Sequence, residues 1–318
     1  MDRHGSGIRI GISSCLLGEK VRFDGNHKHD SFLTGTLGRF FEWVPVCPEV
    51  AIGLGIPRPP IRLTGSPAAP RAVGVKDPGM DVTDRLADYG RRQAHKLDDI
   101  CGYIFKSRSP SCGMERVKVY QGSGAPAARG RGIYADAFLA AQPWLPAEEE
   151  GRLGDTRLRE NFIERVFVYR RWQELTDREL TASRLVEFHT RHKLALMAHD
   201  VEGYRALGRF VARAGRRVSR ETGHEYIRRL MESLKRPATP ARHANVLMHL
   251  MGYLKKRLDA ADKAEMLELI HAYRRGEAPF AAPLILLRHH FRRFPDPYIA
   301  QQTYIHPDPR ELLLRGGI

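Results

Sequence analysis

Short apolar runs alternate with amphipathic stretches through the first third of the chain. Ile8-Arg-Ile-Gly-Ile12 reads as a buried strand that runs into a serine-rich turn ending near Leu17. Residues 31–42 carry helical spacing. Trp43-Val-Pro-Val-Cys47 predicts a second short strand, stopped by Pro48. Residues 51–70 are rich in Gly and Pro and predict loop. Arg71-Ala-Val-Gly-Val75 is a third candidate strand. Asp81 to Asp99 predicts a helix with Asp81 at its N-cap, and Gly102-Tyr-Ile-Phe-Lys106 a fourth strand. Strands alternating with helices imply βαβ units and a Rossmann-like, mainly parallel sheet.

Residues 143–155, with three consecutive glutamates among Gly and Pro, read as an acidic joint. Beyond it the period changes to that of helices. Tyr226, Ile227, Leu230, Met231 and Leu234 share one face. Val246, Leu247, Leu250, Met251, Leu254 and Leu258 share another. Thr239 is placed to cap the second of these, with Pro240 in its first turn, and Gly276 suits the end of a helix over 262–275. The expected architecture is an α/β domain over residues 1–150 and an all-helical domain over residues 151–318.

Composition changes the picture mainly through charge. No apolar run approaches 18 residues, so no membrane span is expected, and Met1 to Gly5 lacks the apolar core of a signal peptide. A cytoplasmic protein is expected. Lys plus Arg is 52 against 37 for Asp plus Glu, a net charge of +15. The first 150 residues hold 20 basic and 17 acidic side chains; the remainder holds 32 and 20. The excess therefore sits in the helical part, where it would draw polyanions, nucleic acid first. The alternative is an arginine-rich solvated surface without a partner. The basic clusters are Arg213, Arg216, Arg217 and Arg220; Arg228 and Arg229; Lys255, Lys256 and Arg257; and Arg288 to Arg293. Tyr253, Phe291 and Phe294 are interleaved with them. Tyr253 lies inside a strongly apolar helix and is expected in the core.

The four cysteines are Cys15, Cys47, Cys101 and Cys112, and none forms a CxxC pair. A zinc ribbon or ferredoxin-type motif is thereby excluded. From spacing alone, four buried structural thiols are the default. Placement on the strands alters that. In open α/β sheets, ligands gather beyond the C-terminal strand ends. Cys15 follows the first strand, Cys47 ends the second, and Cys112 lies on the loop after the fourth. Cys101 precedes the fourth strand, which rises roughly 17 Å, and so belongs to the opposite rim. Three soft donors with one open position suit a catalytic metal or an iron–sulfur cluster with one exposed iron. Glu49, Ser109, Ser111 and Asp24 are the polar groups near these thiols. A carboxylate there handles protons and a hydroxyl orients water or substrate; local ion pairs, caps and turns are the plainer roles. His27 and His29, on a loop, and His189, His192 and His199, near helical spacing, are weaker metal candidates.

Six segments occur in order: Ser14-Cys-Leu-Leu-Gly18, Arg22-Phe-Asp-Gly25, Val46-Cys-Pro-Glu-Val50, Pro57-Arg-Pro-Pro60, Gly79-Met-Asp-Val-Thr83 and Ser109-Pro-Ser-Cys-Gly113. Together they resemble the bacterial thiouracil desulfidase family, over about residues 8–140. Residues 185–318 resemble a domain often fused to it, through His192-Lys-Leu-Ala-Leu-Met-Ala-His199, Tyr204-Arg-Ala-Leu-Gly208, Asn245-Val-Leu-Met-His-Leu-Met-Gly-Tyr253 and Leu312-Leu-Leu-Arg315. The fused form is similar to the tRNA 4-thiouridine desulfidases. Phe23 stands where the family usually has Tyr, which removes a hydroxyl.

The resemblance implies a 4Fe–4S cluster in a non-redox role, with Cys15, Cys47 and Cys112 as its three ligands. Its open iron would act as a Lewis acid on the sulfur of a thiolated pyrimidine. Glu49 would move the proton, with Ser109 or Ser111 assisting, and Asp24 is a further catalytic candidate. The implied partner is tRNA, held by Arg213, Arg216, Arg217, Lys255, Lys256 and Arg257 through its phosphates. Two other readings stay open: desulfuration of free thiouracil or a similar base, and an RNA-binding module whose cysteine domain is structural.

Overall fold

In the computed structural model, residues 7–121, 126–215 and 217–316 are described. The chain divides into two compact units, Met1–Phe162 and Ile163–Ile318. The first is α/β and the second helical.

The first unit is built on β1 (Ile8–Ser13) and β2 (Phe41–Val46), with the short α1 (Pro48–Ala51) following at once. Then come β3 (Ile61–Ser66), β4 (Ala69–Gly74), α2 (Thr83–Lys96), β5 (Gly102–Phe105), β6 (Val117–Tyr120), β7 (Pro126–Gly130), α3 (Ile133–Ala141) and β8 (Ala147–Glu149). The main sheet has the order β2-β1-β5-β8 and is parallel throughout. Ile8, Ile10 and Ile12 are buried, and every residue of β5 is buried, as a doubly covered sheet requires. Beneath the strand ends, Tyr103 stacks on Phe105 and its hydroxyl meets that of Tyr134 at 3.2 Å.

The Gly/Pro-rich stretch is not all loop. Ile61 to Gly74 forms a hairpin, β3 with β4, in a second sheet of order β4-β3-β6-β7. Its prolines and glycines mark the turn and the entry. Consequently the predicted third strand joins this small sheet rather than the parallel one. The predicted helix over 31–42 is two short turns, Phe32–Thr36 and Leu37–Arg39, because β2 begins two residues earlier than its apolar pattern suggested. Val82, not Asp81, is the N-cap residue of α2; the Asp81 carboxylate accepts the Thr83 N–H at 2.9 Å from one residue further out.

The acidic joint is also corrected. Ala147–Glu149 is the fourth parallel strand, and Glu148 and Glu149 are buried. Lys106, Ser107, Arg152 and backbone N–H groups surround the carboxylates of this segment and compensate their burial.

The second unit consists of most of α4 (Thr156–Thr176), within which the division falls, followed by α5 (Ala182–His199), α6 (Val201–Ala212), α7 (Arg220–Leu234), α8 (Pro240–Leu254), α9 (Ala260–Arg275), α10 (Ala281–Arg293), α11 (Pro297–Ala300) and α12 (Pro309–Gly316). Thr239 caps α8 by accepting the Arg242 N–H at 3.3 Å, and Gly276 ends α9 at φ 82°. Val246, Leu247, Leu250, Leu254, Met266, Ile270 and Leu287 belong to one buried core of this unit. Among the described residues no helix is long and apolar enough to cross a membrane.

Candidate active site

The order β2-β1-β5 makes the chain leave β1 in opposite directions, so a crevice opens at the C-terminal ends of these strands. Each of the three ends carries a cysteine. Cys15 sits in the turn Ser14–Leu17, Cys47 is the residue before α1, and Cys112 lies between β5 and β6. All three wall one cavity of about 350 Å³, together with Phe23, Glu49, Arg58, Lys106 and Ser109. Cys101 is fully buried at the start of β5, where its N–H donates to the Arg9 carbonyl at 2.7 Å, and takes no part in that wall.

Burial pushes the Cys15 thiol up to about 11, and the charge of Cys47 adds to the effect. Burial also raises Cys47, and raises Cys112 well above the usual thiol range, with Cys47 and Glu49 opposing its ionisation further. A bound cation reverses this penalty, since metal coordination deprotonates thiols. The donor set is soft and all sulfur, which suits iron. Among the described residues no three His, Cys, Asp or Glu side chains come together around a single ion. The three thiols instead wall a common cavity.

The Cys112 loop is held from two sides. Ser109 Oγ accepts the N–H groups of Ser111 at 3.3 Å and Cys112 at 3.1 Å. Gly132 passes beneath: a Cβ there would lie 2.6 Å from the Ser111 carbonyl, so only glycine permits the approach. Opposite, Glu150 accepts the Ser107 N–H and hydroxyl, each at 2.7 Å, and pairs with Lys106. Glu149 accepts the Met114 N–H at 2.8 Å, and burial raises its carboxyl.

Glu49 is the most constrained polar group of the wall. Arg58 donates Nε and Nη2 to its Oε2, both at 2.8 Å, and Ser111 Oγ donates to Oε1 at 2.7 Å. The third Arg58 nitrogen, Nη1, binds the carbonyls of Val21 and Gly55 at 3.0 Å each. Arg58 is buried, against the expectation for an arginine in a proline-rich loop. Its place within Pro57-Arg-Pro-Pro60 is the only trace of this role in the sequence.

The other candidates separate. Ser111 is fully buried and reaches the cavity only through Glu49, whereas Ser109 lines it. Asp24 is exposed, accepts the Asn26 N–H at 3.1 Å to close its own turn, and is not part of the wall. His27 and His29 are exposed, and His29 Nε2 meets Thr34 Oγ1 at 2.9 Å. His189, His192 and His199 are buried on α5. His199 joins Glu164 at 3.0 Å, while His189 and His192 bond Tyr226 and the Phe188 carbonyl. In the second unit Arg213, Arg217, Lys255, Lys256 and Arg257 are exposed; Arg216 lies outside the described residues.

Residues 10–150 match the 2-thiouracil desulfurase family. Over these residues the chain is similar to a thiouracil desulfidase-type family. The match runs from β1 to β8 and so encloses the three thiol-bearing strand ends. Residues 193–309 match a second model, described as Protein of unknown function (DUF1722). The chain is 34% identical over 160 residues to the uncharacterized protein YbgA of Escherichia coli (strain K12), covering 50% of this chain and 95% of that one. A solved [4Fe-4S]-dependent thiouracil desulfidase, TudS, is 29% identical, covering 46% of this chain and 93% of its own, with a TM-score of 0.35.

Proposed function

We propose that the protein is an iron–sulfur-dependent, non-redox desulfidase that converts 4-thiouridine in tRNA to uridine. The carrying observation is that the three thiols at adjacent strand ends ring one cavity, beside a carboxylate fixed by two partners. Cys15, Cys47 and Cys112 would hold a 4Fe–4S cluster. When bound, such a cluster supplies a Lewis-acidic iron that withdraws electron density from a C–S bond.

The chain's own residues handle the water and its protons. Arg58 and Ser111 fix both oxygens of Glu49 before any substrate enters, so no reorganisation is needed at reaction. Glu49 is then the group placed to take a proton from water as its oxygen adds to the ring carbon. Sulfur leaves as sulfide, the carbonyl replaces the thiocarbonyl, and no electrons are transferred. Phe23 adds an apolar ring to the cavity wall beside Cys15. The basic excess of residues 151–318 supports a polyanionic carrier of the thiolated base; a free neutral base needs no such surface.

The four cysteine-to-serine variants test the site. Under anaerobic reconstitution we expect Cys15→Ser, Cys47→Ser and Cys112→Ser to lose iron, acid-labile sulfide and the broad visible absorbance, and Cys101→Ser to keep them. Equal dependence on Cys101 would remove the strand-end geometry from the account.

A further inference from the structure

The segment Asn245–Tyr253 contains more than its core positions explain. Val246, Leu247 and Leu250 point inward. Asn245, Met248, His249, Gly252 and Tyr253 all face solvent, and their spacing puts them on one face of α8. Tyr253, expected in the core, is 42% exposed, and Met248 is 46% exposed. The core positions of α8 repeat every three to four residues, and Tyr253 falls just off that stripe.

Tyr253 stacks on Tyr298 of α11, with ring centroids 5.7 Å apart and planes 19° from parallel. The His249 ring stands edge-on to it at 5.6 Å. Tyr204 of α6 is close enough to oppose the ionisation of both phenols. Asp296, which acts on the same phenols, is engaged in capping α11 through the N–H groups of Tyr298 and Ile299. Lys255, Lys256 and Arg257 continue directly from α8 and are exposed, as are Arg292 and Arg293 just before α11.

Gly252 gives a second, independent observation. It lies inside a helix, where glycine is poorer than alanine, yet a Cβ at this position would meet nothing within 4 Å. Neither packing nor backbone conformation requires glycine here. Leaving out the side chain opens a flat gap on the exposed face beside the tyrosine pair, into which a planar group can approach the backbone.

We infer that this face of α8, with Tyr253, Tyr298 and His249 around the gap at Gly252, is a stacking platform for an unpaired base of RNA, its phosphates held by Lys255, Lys256 and Arg257. Aromatic rings supply the stacking, and the basic run complements the charge of the strand. The inference rests on the tRNA reading above and names where the second unit meets the nucleic acid.

The test uses the full chain and a single-stranded RNA oligonucleotide carrying 2-aminopurine, with a fully paired RNA of the same length beside it. We expect binding to quench 2-aminopurine in the single strand. Tyr253→Ala should abolish the quench and weaken binding about 5- to 100-fold, while Tyr253→Phe keeps both. Gly252→Ala should weaken binding yet raise the melting temperature by about 2–4 °C, which a merely damaged fold cannot do. Neither variant should change the salt slope. Unchanged affinity in Tyr253→Ala and Gly252→Ala overturns the platform; if the Lys255–Arg257 charges still matter in that case, the tRNA reading survives without it. A wild-type chain that binds neither RNA overturns both.

Discussion

Glu49 and Cys112 come from different elements and are tied by one buried hydroxyl, that of Ser111. On the proposed mechanism, replacing Glu49 by Gln preserves the shape and removes the proton carrier, so we expect cluster content to be retained on reconstitution and turnover to fall about 10²–10⁴-fold. Near-normal turnover would take Glu49 out of the mechanism. Arg58→Met leaves the buried side of Glu49 without its partner and should cost about 3 kcal/mol of stability along with most of the turnover. Chemical denaturation and single-turnover assays on the same preparation measure the two effects. The convergence of Cys15, Cys47 and Cys112 on one cavity was legible in the sequence because each follows the end of an apolar strand. Arg58 was not, because its bonds to Glu49, Val21 and Gly55 are made in three dimensions by a loop whose composition reads as solvent-exposed.

At the level of elements, the Cys112 loop depends on backbone approach as much as on side chains. Gly132→Ala forces the β7–α3 turn away from Ser111 and should destabilise the protein by about 1–3 kcal/mol. Lower iron content at unchanged melting temperature would assign Gly132 a different role. Helix α5 makes a pH statement. Burial lowers His189 to about 4 and His192 to about 3, so the unfolded chain binds more protons than the folded one between these values and about 6.5. Stability therefore falls as pH drops from about 6.5, by about 2 kcal/mol per histidine between pH 7 and pH 5. Denaturant titration at the two pH values checks this, and His192→Gln should flatten the profile. The helices of the second unit were legible through their period and caps, with Thr239 and Gly276 placed as expected. The hairpin β3–β4 and strand β8 were not. Proline and glycine at the hairpin's ends masked its alternation, and Ala-Glu-Glu carries no apolar signal because its carboxylates are compensated by Arg152 and backbone N–H groups.

Over the whole molecule the decisive quantity is the distribution of charge. Lys255, Lys256 and Arg257 are exposed. For every phosphate that their replacement by Gln leaves unneutralised, the log–log dependence of tRNA affinity on salt should flatten by about 0.9. Turnover of a free base by that variant should stay unchanged, since nothing at the strand-end cavity is altered. That the charge excess lies in the helical part was plain from the sequence; which of its aromatic residues are exposed required the structure, as Tyr253 illustrates. The full chain, reconstituted anaerobically, is given tRNA containing 4-thiouridine and, separately, free 2-thiouracil, and sulfide and the digested nucleosides are quantified. We expect uridine to replace 4-thiouridine with one sulfide released per residue, faster than any turnover of the free base. Rapid release of sulfide from 2-thiouracil with the tRNA left unaltered would contradict the account.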